Sequence, residues 1–364
     1  MGRIERESNE APFSPEKELS EPGIYFGSYL PADCITNKEI ERWGVQTSSG
    51  KLLTAEKIEK VTGIKKRYVA DAYENPLYMG VCAAAEAFAD NQNLHELYVS
   101  TSYPVGVNLS REIAQELGLN PKKYSDYHMA CSGFAGILHD LYQNRFRTKS
   151  HRVGIIATEK YSDTLTDLAT EGIGKDPPLA QTLFSDGAYA ISFINGTDLR
   201  ILSATQSRFP REVEEYIRMP IDYKKMMSPY RVQYVPSNFD PEKPYKNKFE
   251  QYGKGVSLMV KEGVPPMIKR VVESAGLEAS DIAMVFPHQG SGPVVKGAIA
   301  EQLPEYNTYQ DFEEGNFSSA SIPRSLSKAW ERGDIGRGDT IVIAGFGAGL
   351  FASACVVEFP LSNN

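Results

Sequence analysis

Three polar residues stand where the chain pattern lets them act: Cys131 in DYHMACSGFAGIL, His288 in FPHQGSG and Asn316 in EEGNFSSASIP. Cys131 lies between the short run YHMA, which reads as a strand, and SGFAGILHDLYQ, which reads as a helix. A thiol at such a junction meets unpaired backbone N–H groups and the positive end of the helix dipole, and both favour the thiolate. Free cysteines are also commonly buried and inert, so placement alone leaves both readings open. A thiolate takes up an acyl group, while a neutral imidazole and an amide can donate two hydrogen bonds to one developing oxyanion. Decarboxylation of a malonyl thioester creates such a charge on the enolate oxygen as CO₂ leaves. The set therefore suits carbon–carbon bond formation. A Cys-His-Asn set also serves cysteine proteases, where His activates Cys, and residue order does not separate the two.

An internal repeat supplies the elements that must position these residues. LYVSTSYPVGVNLSREIAQELG, from Leu97, resembles AMVFPHQGSGPVVKGAIAEQLP, from Ala283, and YSDYHMACSGFAGILHDLYQNRFRTKSHRVGIIATE resembles YQDFEEGNFSSASIPRSLSKAWERGDIGRGDTIVIAG. The offset stays near 187 (288 − 101 and 344 − 157). Each copy reads as strand, helix, short strand, helix, strand. Leu97–Ser100 and Ala283–Phe286 suit buried strands, and the stretches from Asn108 and Val294 carry apolar residues at helical spacing. Val153–Ala157 and Ile341–Ala344 are continuous apolar runs, as a sheet covered on both faces requires. At this offset Cys131 pairs with Ser318 (131 + 187 = 318), two residues after Asn316. Cys131, His288 and Asn316 all fall at strand ends, which converge on one crevice in open α/β sheets. Two copies of several elements each argue against a solenoid.

Residues 205–250, rich in Pro, Tyr and charge, read as a long irregular excursion, the kind of loop that is usually a functional cover or disordered. The run GFGAGL at 345–350 precedes the strand-like FASACVVEF, not a helix, so it fails the structural test for a dinucleotide-binding loop. It reads as a tight turn that brings backbone N–H groups near the nucleophile.

The chain has 364 residues, which favours two domains or one duplicated domain. A net charge of −8 argues against a general nucleic-acid or anionic-membrane binder. Cys34, Cys82, Cys131 and Cys355 are scattered, with neither disulfide nor zinc spacing, so a reducing, cytoplasmic setting is expected. Residues 1–21 read as a loose polar tail without a secretory signal. Ile341 to Val357 carries no charge, but it is short for a membrane crossing and interrupted by glycines, so two strands joined by a turn are expected and no membrane span.

VTGIKKR at 61–67, HMACSGF around Cys131, LFSDGA at 183–188, PHQ at 287–289, GNFSSASIP at 315–323 and GFGAG at 345–349 together resemble the thiolase-fold condensing enzymes, most closely β-ketoacyl-(acyl carrier protein) synthase III, in order and spacing from about residue 22 to 359. The resemblance implies an α/β thiolase fold: duplicated βαβαβαββ halves, here 22–200 and 201–364, in a five-layer αβαβα sandwich, normally a homodimer. It assigns Cys131 as the acylated nucleophile, His288 and Asn316 as stabilisers of the enolate from malonyl thioester, and the N–H groups of Cys131 and Ala348 as the oxyanion hole. It implies ping-pong kinetics, no metal or redox cofactor, and phosphopantetheine thioesters on CoA or acyl carrier protein.

Departures refine these expectations. Lys57 and Val61 stand where the family's adenine-clamping tryptophan and arginine are usual, and HQGSGPVVKG lacks the basic residues expected beyond the HQ pair. An acyl-carrier-protein donor or a specialised, polyketide-like pathway is expected. Gly106 replaces a bulky residue lining the partner's acyl pocket, which implies a larger acyl group. Arg218, Lys224 and Lys225 are candidates for docking an acidic carrier protein, against the alternative of a solvated loop. Two other functions remain: acyl transfer to an alcohol, amine or second acyl thioester without decarboxylation, and a non-catalytic partner subunit of another ketosynthase.

Overall fold

A computed structural model describes residues 23–47, 50–89, 93–102, 108–144, 151–162, 182–209, 217–218, 223–228, 231–236, 250–251, 253–347 and 351–361. The expected polar tail, Gly106 and Ala348 lie outside the described residues. In chain order the strands are β1 (Tyr25–Tyr29), β2 (Cys34–Thr36), β3 (Lys66–Tyr68), β4 (Glu96–Ser100), β5 (Lys123–Tyr127), β6 (Arg152–Glu159), β7 (Gly187–Ile194) and β8 (Arg200–Arg208). They continue as β9 (Ile217–Arg218), β10 (Tyr223–Ser228), β11 (Arg231–Pro236), β12 (Glu250–Gln251), β13 (Met284–Pro287), β14 (Thr340–Gly347) and β15 (Phe351–Glu358). The helices are α1 (Asn37–Arg42), α2 (Ala55–Thr62), α3 (Pro76–Phe88), α4 (Leu109–Glu116), α5 (Gly133–Gln143), α6 (Gly253–Ser274) and α7 (Ser321–Arg332).

One sheet has the order β1-β7-β6-β4-β5 and a second the order β13-β14-β15-β8. β4 is parallel to both β5 and β6, and β13 is parallel to β14; β6–β7 and β14–β15 are antiparallel. Three cores weld five layers. Ala83, Ala87 and Phe88 of α3 and Ile113 of α4 pack on Leu97, Ile156 and Ala190 of the first sheet. Phe134, Leu138 and Leu141 of α5 with Ile322 and Leu326 of α7 fill the space between Ile155 and Phe193 on one side and Ile343 and Val357 on the other. Val260, Ile268 and Val271 of α6 cover the far face of the second sheet through Val342, Ala354 and Val356. The layers thus run αβαβα. Each fully buried Leu, Ile or Phe contributes about 1.5–3 kcal/mol, so the central layer is fixed by hydrophobic burial from two sides. Burial on both faces is also why β6 and β14 carry no charged residue between Arg152 and Glu159 or from Thr340 to Gly347.

The strand register sharpens the repeat. Glu96 sits opposite Val153 in the first sheet and Met284 opposite Ile341 in the second. Both pairings span 57 residues, and the matching 3₁₀ turns, Ala130–Ser132 and Ser318–Ala320, with the strands that begin at Arg152 and Thr340, set the structural offset at 188 (318 − 130 and 340 − 152), one more than direct sequence comparison suggests. Cys131 then corresponds to Ser319, and Ala130 to Ser318. Ala130 and Ser318 are the two described non-glycine residues with positive φ, 44° and 49°.

Other differences have local causes. The run YHMA is not a strand: β5 ends at Tyr127, and a 3₁₀ turn at Ala130–Ser132 feeds α5. In the second copy the short strand is reduced to an isolated bridge between Val285 and Thr308. The expected irregular excursion contains β8 up to Arg208, the β10–β11 hairpin and the β9–β12 pair. The hairpin alternates pairs such as Lys225 with Tyr234, a pattern that composition alone read as loop. GFGAGL does join β14 to β15, with Gly347 opposite Phe351. Among the described residues no helix is long and apolar enough to cross a membrane.

Candidate active site

Cys131 opens the first strand-to-helix junction, in the 3₁₀ turn before α5, and is half-buried. Its Sγ donates to Ser318 Oγ at 3.6 Å, and the Asn316 side chain hydrogen-bonds it. The expectation that this placement favours thiolate does not hold in the folded chain. Burial, with the nearby Glu159 charge adding to it, pushes the thiol up to about 12, against the lowering effect of the Ser318, backbone and Asn316 hydrogen bonds. Desolvation outweighs the helix dipole here.

Close packing explains the glycines after β14. A Cβ on Gly347 would stand 2.7 Å from Cys131 Cβ and 3.1 Å from its backbone nitrogen. The end of β14 lies directly against the nucleophile junction, and only hydrogen fits between them.

His288 follows β13 and is held by its backbone N–H donating to Ala344 O at 2.8 Å. Its ring packs edge-on against Phe346, with centroids 5.3 Å apart. Burial drives its pKa down to about 3, so the imidazole is neutral at physiological pH. Gln289 fixes the loop beyond it by donating to Pro287 O and Tyr309 O and accepting from Asp311 N.

Asn316 is pinned by its backbone to the LFSDGA segment: its N–H donates to Leu183 O at 2.8 Å and its carbonyl accepts from Ser185 N at 3.0 Å. Its Oδ1 accepts from Ser318 N at 2.7 Å, which leaves the Nδ2 amide as the donor into the cleft. A Cβ built on Gly290 would lie 3.3 Å from His288 Nε2 and 3.9 Å from Asn316 Nδ2. The two nitrogens face one spot, while the Asn316 side chain also reaches Cys131. Cys131, His288 and Asn316 are thus brought into one cleft.

The sequence reading missed a set of polar groups behind the thiol. Glu159, the last residue of β6, is buried and accepts from Ser102 N (2.9 Å), Ser102 Oγ (3.2 Å), Ser319 N (3.2 Å) and Ser319 Oγ (2.5 Å). Desolvation raises it to about 7, against those hydrogen bonds. Ser102 Oγ lies 3.3 Å from Ser318 Oγ, and Tyr161 OH donates to Ser318 Oγ at 3.5 Å. The available signal was IIATE: an acid closing an otherwise apolar strand. Arg218, Lys224 and Lys225 lie in β9 and β10, far along the chain from the cleft residues. Lys57 and Val61 are both exposed on α2, and Val61 presents an apolar side chain there.

The family model described as 3-oxoacyl-[acyl-carrier-protein (ACP)] synthase III C terminal matches residues 272–359. The β-ketoacyl-[acyl-carrier-protein] synthase III of Methylococcus capsulatus is 26% identical over 341 residues, covering 92% of this chain and 97% of that protein. That of Streptomyces lividans is 28% identical over 370 residues, covering 95% and 96%. The crystal structure of the priming β-ketosynthase from the R1128 polyketide biosynthetic pathway superposes with a TM-score of 0.73 at 25% identity, over 96% of this chain and all of the other. Layering and cleft together define a thiolase-fold condensing enzyme. Within that class the chain is similar to the β-ketoacyl-(acyl carrier protein) synthase III enzymes.

Proposed function

We propose that the chain makes a β-ketoacyl thioester in two half-reactions centred on Cys131. In the first, Cys131 Sγ attacks an acyl thioester; a new C–S bond forms, the bond to the donor sulfur breaks and the donor leaves as a thiol. In the second, a malonyl thioester on acyl carrier protein loses CO₂, and the electron pair of the broken C–C bond passes into an enolate. His288 Nε2 and Asn316 Nδ2 hold that enolate oxygen, which suits a neutral imidazole and an amide whose Oδ1 is already engaged. The enolate carbon then attacks the acyl group on Cys131 and expels the sulfur. The N–H groups of Cys131 and Ala348 serve as the oxyanion hole for both tetrahedral intermediates. The new bond takes its electrons from decarboxylation, so the chemistry asks for no redox group.

The observation that carries this reading is the placement of Asn316 against both Cys131 and the His288 side of the cleft. The relatives, β-ketoacyl-[acyl-carrier-protein] synthases III and a polyketide priming β-ketosynthase, support a fatty-acid-related or specialised pathway. Lys57 and Val61 favour a carrier-protein acyl donor, Gly106 a larger acyl group, and Arg218, Lys224 and Lys225 the docking of the acidic carrier. We place the working enzyme in the cytoplasm as a homodimer, each chain divided into halves near residue 200.

The test is mass spectrometry of the chain after incubation with acyl-CoA and acyl-carrier-protein donors, followed by CO₂ release from malonyl carrier protein. The expected result is acyl mass on Cys131, CO₂ release with product, and loss of both loading and product in Cys131→Ala. Loading without CO₂ release would replace this reading with acyl transfer to another acceptor. Full condensation by Cys131→Ala would remove Cys131 from the mechanism.

A further inference from the structure

A thiol pushed up to about 12 is almost wholly protonated at neutral pH, so its attack on a thioester requires a group that takes the proton as the sulfur bonds carbon. His288 is an unsuitable acceptor, since its desolvated ring resists protonation down to about 3. The cleft holds another route. Cys131 Sγ donates to Ser318 Oγ (3.6 Å), Ser318 Oγ lies 3.3 Å from Ser102 Oγ, and Ser102 Oγ donates to Glu159 Oε1 (3.2 Å). Every link has a donor on the sulfur side and an acceptor on the carboxylate side, so the chain of hydroxyls can be oriented in one direction. Ser318 is held for this by its N–H on Asn316 Oδ1 and by a backbone of positive φ. Glu159 is held by the Ser102 and Ser319 backbone N–H groups.

We propose that Ser318, Ser102 and Glu159 form a proton relay that accepts the Cys131 thiol proton during acyl loading. The proposal rests on Cys131 being the nucleophile. As Sγ bonds the acyl carbon, its proton passes to Ser318 Oγ, the Ser318 proton to Ser102 Oγ, and the Ser102 proton to the Glu159 carboxylate, which becomes the neutral acid. When the tetrahedral intermediate collapses, the donor thiolate leaves and takes up one proton, which the relay returns. Glu159 is again ionised, and a thiol has been exchanged for a thiol. After condensation the expelled Cys131 sulfur regains a proton by the same path, drawn ultimately from solvent. Ser318 touches the reacting sulfur and is catalytic; Ser102 and Glu159 act through it.

The titratable groups that couple to Glu159 are Cys131 and Tyr161. Burial raises both, so both stay neutral across the range in which Glu159 titrates, about 7. Lys160, the next residue, turns its Nζ to the Asp71 carbonyl. Glu159 is therefore the group that changes charge behind the thiol near neutrality. Below its pKa it is protonated and cannot accept; above it the relay is open.

The test uses iodoacetamide on the full chain, with the rate of Cys131 modification read from its peptide mass across the pH range. This probe needs no acyl donor. Wild type is expected to show a rate inflection near 7. Glu159→Gln keeps the shape and an accepting oxygen but cannot take the proton; Ser318→Ala and Ser102→Ala cut the chain of hydroxyls. In all three the inflection should vanish, leaving only the alkaline rise of the thiol itself, and the neutral-pH rate should fall about a hundred-fold, within the usual range for a lost general base. Ser102→Thr, which keeps the hydroxyl, should retain the inflection, so that its loss in Ser102→Ala reports the missing hydroxyl and not a disturbed fold. An inflection that survives in Glu159→Gln, or a loss of rate equal at every pH, overturns the relay. Acyl loading of the same variants separates the two readings: wild-type loading with no inflection discards the relay alone, whereas an intact inflection with no loading from any donor discards the acyl-transfer function.

Discussion

The two strand-to-helix junctions share a backbone plan and differ in what the other half sets against them. Cys131 and Ser319 occupy equivalent positions (319 − 131 = 188), each one residue after a positive-φ residue, Ala130 or Ser318. The strand end that meets each comes from the opposite half: Gly347 of β14 lies against Cys131, and its equivalent, Glu159 of β6 (347 − 159 = 188), bonds Ser319. A glycine lets β14 pack directly against one junction. A glutamate fills and anchors the other. The duplication thus supplied two equal turns, and one side-chain choice on the facing strand separates the nucleophile from its support. The supporting junction is not idle, since it presents Asn316 and Ser318 to the nucleophile.

The largest effect that would break this division falls on the cleft donors. His288→Ala and Asn316→Ala should each slow condensation about 10²–10³-fold, the cost of one preorganised oxyanion donor. Acyl loading of Cys131 should remain measurable in both, because neither side chain is asked to carry that step. Separate assays of acyl mass and CO₂ release check this. Equal loss of both steps in Asn316→Ala would mean that its bond to Cys131 matters more than its role in the enolate site.

Much of this arrangement was legible in the chain. Continuous apolar runs mark β6 and β14 because both faces are buried, His288 is visible because it follows the apolar run of β13, and Cys131 and Asn316 are visible because the repeat sets their two junctions in correspondence. What was not legible depends on distance through space. Residues 102, 159 and 318 have no sequence relation, and only the packing of β6 on the second junction brings them together. The thiol was misjudged for a similar reason: dipole and open N–H groups follow from local sequence, whereas desolvation follows from everything folded around the sulfur.

A smaller effect is expected from crowding the nucleophile junction. Gly347→Ala places a Cβ 2.7 Å from Cys131 Cβ and 3.1 Å from its nitrogen, and the second of these is backbone that cannot swing aside. The strain should cost about 1–3 kcal/mol of stability, read as a lower Tm or denaturant midpoint. Loading should also slow, because the turn that carries the sulfur must shift. Unchanged stability and loading would show that the glycine is not what lets β14 pack against this junction.

The smallest effect on activity, and the sharpest use of the comparison, is expected from Ser319→Cys, which puts a thiol at the duplicate of the nucleophile position. Ser319 is fully buried, and its Oγ donates to Glu159 at 2.5 Å. The larger sulfur weakens that bond and crowds the junction, at a stability cost of about 1–3 kcal/mol. The new thiol has the same helix-start geometry as Cys131, so a dipole argument alone predicts reactivity. The facing residue predicts the opposite: a carboxylate in contact disfavours a thiolate. Peptide mass spectrometry after exposure to an acyl donor should find acyl groups at residue 131 and none at residue 319. Acylation at 319 would mean that the exchange of Gly347 for Glu159 is not what divides the labour of the two junctions.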